Sequence, residues 1–97
     1  MKNYETVFIL NPALSEEQVQ KTVDKYEKSL KSNGAKIVNK EVWGLKKLAY
    51  TIENKNSGFY NLLEYTAPAD LVSSLELEFT RDESVMRYLT VTLDKHA

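Results

Sequence analysis

The chain has 97 residues, 42% of them apolar, with one Trp, six Tyr and three Phe, enough for one small hydrophobic core. Its formal net charge of −1 excludes a generic polycation, and the absence of cysteine excludes disulfides and thiolate metal sites. No run approaches the roughly 18 apolar residues that span a bilayer, and no apolar leader follows Met1, so a soluble, cytoplasmic single domain over residues 1–97 is expected.

Residues 3–10 are dense in Tyr, Thr, Val, Phe and Ile and read as a strand that Asn11-Pro12 ends. Ser15-Glu16-Glu17-Gln18 is a capping-box pattern, in which a hydroxyl and an amide side chain satisfy exposed backbone amides reciprocally. Val19, Val23, Tyr26 and Leu30 follow at helical spacing, and Asn33-Gly34 supplies a left-handed stop. A helix over residues 16–32 is predicted.

Residues 36–52 carry no helix signal and read as one long strand, kinked or bulged near Trp43-Gly44. The polar cluster 53–58 reads as a turn, and 59–67 as the returning strand of a hairpin. Pro68 and Asp70 open a second helix, near 69–81, whose buried stripe is Leu71, Leu75 and Phe79 with Val72 beside it. Arg81-Asp82-Glu83-Ser84 breaks that helix, 85–93 is a last strand, and 94–97 is expected to fray. Strand, helix, strand, strand, helix, strand is the α+β ferredoxin-like βαββαβ arrangement: a four-stranded antiparallel sheet with two helices on one face, its first strand away from the edge.

A sheet covered on one face alternates apolar and polar residues. Here both sides of the outer segments carry apolar groups: Tyr4, Thr6, Phe8 and Leu10 oppose Val7 and Ile9, while Val85, Leu89, Val91 and Leu93 oppose Met86 and Tyr88. Isolated exposed apolar residues are ordinary, but a second macromolecule over part of the open face also explains them, with Val7, Ile9 and Tyr88 as partner-binding candidates. Charge is segregated as well. Residues 36–60 hold five lysines against Glu41 and Glu53, a local +3, whereas 64–84 hold Arg81 against six acids, a local −5.

The densest combination of cations and aromatics is Trp43-Gly44-Leu45-Lys46-Lys47-Leu48-Ala49-Tyr50-Thr51-Ile52. Lys46 and Lys47 point to opposite faces of a strand. A phosphate backbone with a base stacked nearby suits such a segment, although a solvated strand is the commoner explanation of a lysine pair taken by itself, a weighting that the family resemblance given below reverses. Trp43 and Tyr50 each fit either a stacking platform or a core filler; for Trp43 packing on its own hairpin is the expectation. Arg81 and Arg87 bracket the last turn and strand. Arg87 interrupts an apolar strand and is favoured as a phosphate contact, while Arg81 also suits a helix end.

Gly44-Leu45-Lys46-Lys47-Leu48-Ala49-Tyr50-x-Ile52, with Tyr4-Glu5-Thr6 and Asn11-Pro12 at the start, closely resembles the bacterial small-subunit ribosomal protein S-six family, over residues 2–93. The resemblance implies the same fold and a place in the ribosome. It also implies binding to the central domain of small-subunit ribosomal RNA, as a heterodimer with the small basic ribosomal protein S-eighteen. The candidate RNA-binding set is then Lys2, Lys46, Lys47, Tyr50, Lys55, Arg81 and Arg87. Thr51 stands where the family often has proline, so no rigid turn is expected there; many members carry a longer C-terminal tail, whereas this sequence stops at Ala97.

An enzyme is not expected. His96, the one histidine, lies beside the C-terminus, and no Gly-rich phosphate loop or metal-ligand spacing is present. Residues 11–15, Asn-Pro-Ala-Leu-Ser, lack the arginine and glycine that a small hydrolase on this fold would need. No cofactor, metal, membrane or small-molecule substrate is anticipated. The alternative function is a ligand-sensing or self-associating ferredoxin-like module.

Overall fold

The computed structural model describes residues 1–52 and 54–93. The expectations for Glu53, for a frayed 94–97 and for His96 lie outside the described residues. The elements are β1 (Lys2–Leu10), α1 (Glu16–Ser32), β2 (Lys36–Ile52), β3 (Lys55–Ala67), α2 (Ala69–Arg81) and β4 (Val85–Thr92). The sheet order is β2-β3-β1-β4 with every pairing antiparallel, so β1 is central as anticipated.

The local signals act where the sequence places them. Ser15 Oγ accepts from Gln18 N at 3.2 Å while Gln18 Oε1 accepts from Ser15 N at 2.9 Å, closing the capping box of α1. Gly34 adopts φ +97°, and the Ala35 amide returns to the Leu30 carbonyl at 2.9 Å, which ends the helix.

Val19, Val23, Tyr26 and Leu30 of α1 and Leu75 and Phe79 of α2 are buried against Tyr4, Phe8, Leu10, Phe59, Leu63 and Tyr65. Leu71 and Val72 pack partly buried at the edge of this core. Phe79 is its hub, with ring centroids 4.6 Å from Tyr26, 5.1 Å from Phe8 and 5.2 Å from Tyr88. The buried hydroxyl of Thr6 is satisfied by Tyr65 OH at 2.9 Å and Thr90 Oγ1 at 2.8 Å, so this polar group costs little inside the core.

Two segments depart from the sequence reading. The returning strand begins at Lys55, four residues earlier than expected, and Ile52 pairs with Lys55 around Asn54 at φ +64°. Polar composition made 55–58 look like a turn, yet an extended hairpin tolerates polar side chains when it projects into solvent. In β4, Ile9 faces Arg87 but Leu10 faces Val85, so Met86 is an extra residue in the ladder. Because side chains alternate with period two, this bulge puts Val85 on the helix-covered face together with Tyr88, correcting the expected grouping of Val85 with Leu89 and Val91.

The connection from α2 to β4 is tied to α1 through Asp82. Its Oδ2 accepts from Tyr26 OH at 2.5 Å and from Lys25 Nζ at 3.2 Å, and its Oδ1 accepts from the Ser84 amide at 2.9 Å. Burial alone would raise the Asp82 carboxyl, but the bonds from Tyr26, Ser84 and Lys25 together hold it below its ordinary value. A depressed folded-state value means the stabilisation is complete above the unfolded value of about 3.9 and is lost as pH falls through the lower folded value. Asp82→Asn is therefore expected to flatten the acid limb of a stability-versus-pH curve below about pH 4. An unchanged acid limb by chemical denaturation would remove Asp82 from this role.

Candidate nucleic-acid and partner interface

The helices leave one sheet face open; beyond an end row of Asn3, Thr66 and Lys36, the register arranges its side chains in three further rows. The first runs Val91, Glu5, Glu64, Asn39; the second Leu89, Val7, Leu62, Glu41; the third Arg87, Ile9, Tyr60, Gly44. Next to the Lys36 end the face thus carries a pair of acids, its middle is mainly apolar, and the other end is cationic and aromatic. Glu5 and Glu64 sit directly opposite each other, an unfavourable like-charge pair, and neither meets a cation within ion-pair distance among the described residues.

The cationic end is built by β2. Val42 pairs with Asn61 but Gly44 with Tyr60, so Trp43 is an extra residue followed by Gly44 at φ +84°. The kink expected there is present, and the left-handed backbone is why glycine follows the tryptophan. Trp43 lies beside Tyr60, ring centroids 6.3 Å apart and planes within 14° of parallel, which agrees with packing on its own hairpin; it stays 43% exposed. Lys46 Nζ stands 5.9 Å from the Trp43 ring centroid. Lys46 pairs with Gly58 and Lys47 with Ser57, so the two lysines do point to opposite faces.

Beyond Lys47 the ladder is interrupted until Ile52 meets Lys55. Residues 48–52 curl over the third row, where Leu48, Ala49, Tyr50 and Ile52 line a small cavity with Ile9, Tyr60 and Arg87. Leu48, Ile9 and Leu62 are buried on this side of the sheet, away from the main core. Arg87 Nη1 donates to Tyr50 OH at 2.6 Å and the guanidinium stands 5.5 Å from the Tyr50 ring centroid. Tyr50 remains 62% exposed. Gly58 leaves room for the Ile9 side chain that lines this cavity, since a Cβ there would collide with Ile9 Cγ2 and stand 3.2 Å from the Leu10 carbonyl oxygen.

Of the RNA-binding candidates, the hairpin and β4 gather Lys46, Lys47, Tyr50, Lys55 and Arg87 at one end of the molecule. Lys2 is not among them: it pairs with Ala67 at the far end of β1. Arg81 closes α2 in the helix layer, lining a cleft with Lys25, Glu78 and Asp82. Lys40, one of the five lysines of the basic stretch, is spent internally on Glu27 at 3.1 Å and Asp24 at 3.6 Å.

Of the partner candidates, Val7 and Ile9 lie on the open face, beside a groove of about 250 Å³ that Arg87, Tyr88 and Leu89 also line. The Tyr88 ring turns to the other side, stacked on Phe79 with its hydroxyl 3.3 Å from Thr80 Oγ1, because it shares the register of Phe8. Leu89 and Val91, 64% and 42% exposed, hold the open-face positions instead. Sequence reasoning also missed Tyr60, the Glu5–Glu64 pair and the curl at 48–52. The one available signal was length: residues 36–52 exceed what an antiparallel partner over 59–67 can pair.

The family model described as "Ribosomal protein S6" matches residues 3–92. The chain is 66% identical over its whole length to the small ribosomal subunit protein bS6 of Christiangramia forsetii, covering 87% of that protein. It is 52% identical to the protein of the same name from Bacteroides fragilis, again over the full chain and 85% of the relative. Among solved structures, the 30S ribosomal protein S6 of Thermotoga maritima superposes with a TM-score of 0.90 at 26% identity, covering 94% of this chain and 86% of that one.

Proposed function

The chain belongs to the ribosomal protein S6 family, and from that premise we propose that it binds the central domain of small-subunit ribosomal RNA jointly with the basic ribosomal protein S-eighteen. It is a component of the small ribosomal subunit, and its relatives are structural proteins of the ribosome rather than enzymes. Residues 1–97 act as a single unit in this reading.

The observation that carries the reading is the polarity of the open face. A basic protein partner fits the end where Glu5 and Glu64 oppose each other beside Leu89, Val91 and Val7: apolar contacts supply the area and the added cations relieve the like-charge pair. RNA fits the opposite end, where Lys46 and Arg87 stand beside the exposed rings of Trp43 and Tyr50, with Lys55 on the same hairpin and Lys47 on its other face. A chain of net charge −1 gains little from counterion release alone, so a basic companion complements it.

Replacing Lys46, Lys47 or Arg87 by alanine is expected to weaken assembly onto ribosomal RNA and to lower the salt dependence of binding by about one unit of slope for each phosphate no longer neutralised. Melting temperature should move little, since exposed charge pairs contribute only about 0–1 kcal/mol. Filter binding across a salt series, paired with thermal melts, reads both. Loss of folding with normal RNA binding in the folded fraction would contradict the assignment. Co-sedimentation of the wild-type chain with small subunits tests the placement as a whole.

A further inference from the structure

We propose that Trp43 and Tyr60 form a stacking platform for an unpaired RNA base, with Lys46 placed for the adjoining phosphate. This rests on the RNA-binding reading above and specifies a site and a ligand within it: a single-stranded nucleotide rather than a duplex backbone.

The two rings are nearly parallel, at 14°, but their 6.3 Å centroid separation is too wide for full overlap. They are offset, so each ring keeps part of its face uncovered by the other. The platform is held in place before any ligand arrives. The indole Nε1 donates to Glu41 Oε1 at 2.8 Å, and Asn39 Nδ2 donates to the other oxygen of the same carboxylate at 2.8 Å.

That arrangement spends the indole donor internally, leaving the π surface as what the tryptophan offers. A base stacks on such a surface whatever its sequence. The Glu41 charge, tied to two donors on one side of the ring, repels a phosphate there. Lys46 Nζ, 5.9 Å from the ring centroid, attracts one. The backbone of a bound strand is therefore directed toward Lys46 and on toward Arg87, which lies in the same row as Tyr60.

Trp43 is the single tryptophan of the chain, so its fluorescence reports directly on the site. The full-length protein is titrated with oligouridylate, with a duplex RNA of equal length, and with the basic partner protein in separate arms. Saturable quenching by the single strand, and none by the duplex, is expected. By filter binding of labelled oligouridylate, Trp43→Leu and Tyr60→Leu should each weaken single-strand binding roughly 5- to 140-fold, the range that one stacked base supplies, while Trp43→Phe keeps most of it.

Wild-type protein that associates with small-subunit ribosomal RNA yet shows no quenching by the single strand would overturn the platform and leave the broader reading intact. Quenching by the partner protein alone would overturn it in favour of a protein contact. Failure to associate with ribosomal RNA at all would overturn the reading on which it rests.

Discussion

Phe79→Ala is expected to destabilise the fold by about 3–5 kcal/mol, the largest effect of any single truncation considered. Phe79 is 1% exposed and contacts the rings of Phe8, Tyr26 and Tyr88, so its removal opens a cavity at the point where both helices and two strands meet. Lost apolar burial and the cavity add, and each aromatic pair contributes about 0.5–1.5 kcal/mol beyond burial. Total stability of a domain is only about 5–15 kcal/mol. A loss of this size lowers the melting temperature by more than about 12 °C in a chain near 100 residues. Leu89→Ala is the contrast: its side chain is 64% exposed on the open face, and its removal should change stability by less than about 0.5 kcal/mol. Denaturant titration of the two variants checks the pair. Equal effects would mean that the core does not lie between the helices and the Phe8 face of the sheet.

The second large effect is on cooperativity. The chain alone should bind ribosomal RNA weakly, because its net charge is −1 and few of its cations, Lys46, Lys47, Lys55 and Arg87, gather at the proposed RNA end. With the basic partner on the acidic end, the two cationic surfaces become continuous and one interface is already ordered when RNA arrives. A coupling of about 1–3 kcal/mol, or about 5–150-fold, is the usual size of such linkage. Glu5 and Glu64 are the residues through which it should act. Reversing both to lysine is expected to repel the partner and abolish the coupling, without weakening the direct affinity of this chain for RNA. Coupling that survives the double reversal would place the partner elsewhere.

The sequence announced the fold through its periodicities and caps. Val19, Val23, Tyr26 and Leu30 are spaced for one helix face, and all four are buried; the capping box at Ser15 closes as its residue types demand. The bulge at Trp43–Gly44 was legible too, because glycine inside a strand marks a place where the backbone must do something unusual. The candidate site was legible only in part. Lys46, Lys47 and Tyr50 stand out from their own segment, whereas Tyr60 enters the site through its cross-strand position beside Trp43. Tyr88 was misplaced by one extra residue at Met86, since a bulge reverses the face of everything beyond it and leaves no mark on local composition. The Glu5–Glu64 pair and the Tyr50–Arg87 contact join residues far apart in the chain, and only the register brings them together.

The most direct measurement is a titration of labelled central-domain ribosomal RNA, at one fixed salt concentration, with this chain, with its basic partner, and with both together. The account predicts that RNA affinity rises about 5–150-fold when the two proteins are present together. The same RNA affinity with and without the partner would show that the two bind independently, and joint recognition by a single continuous surface would be wrong.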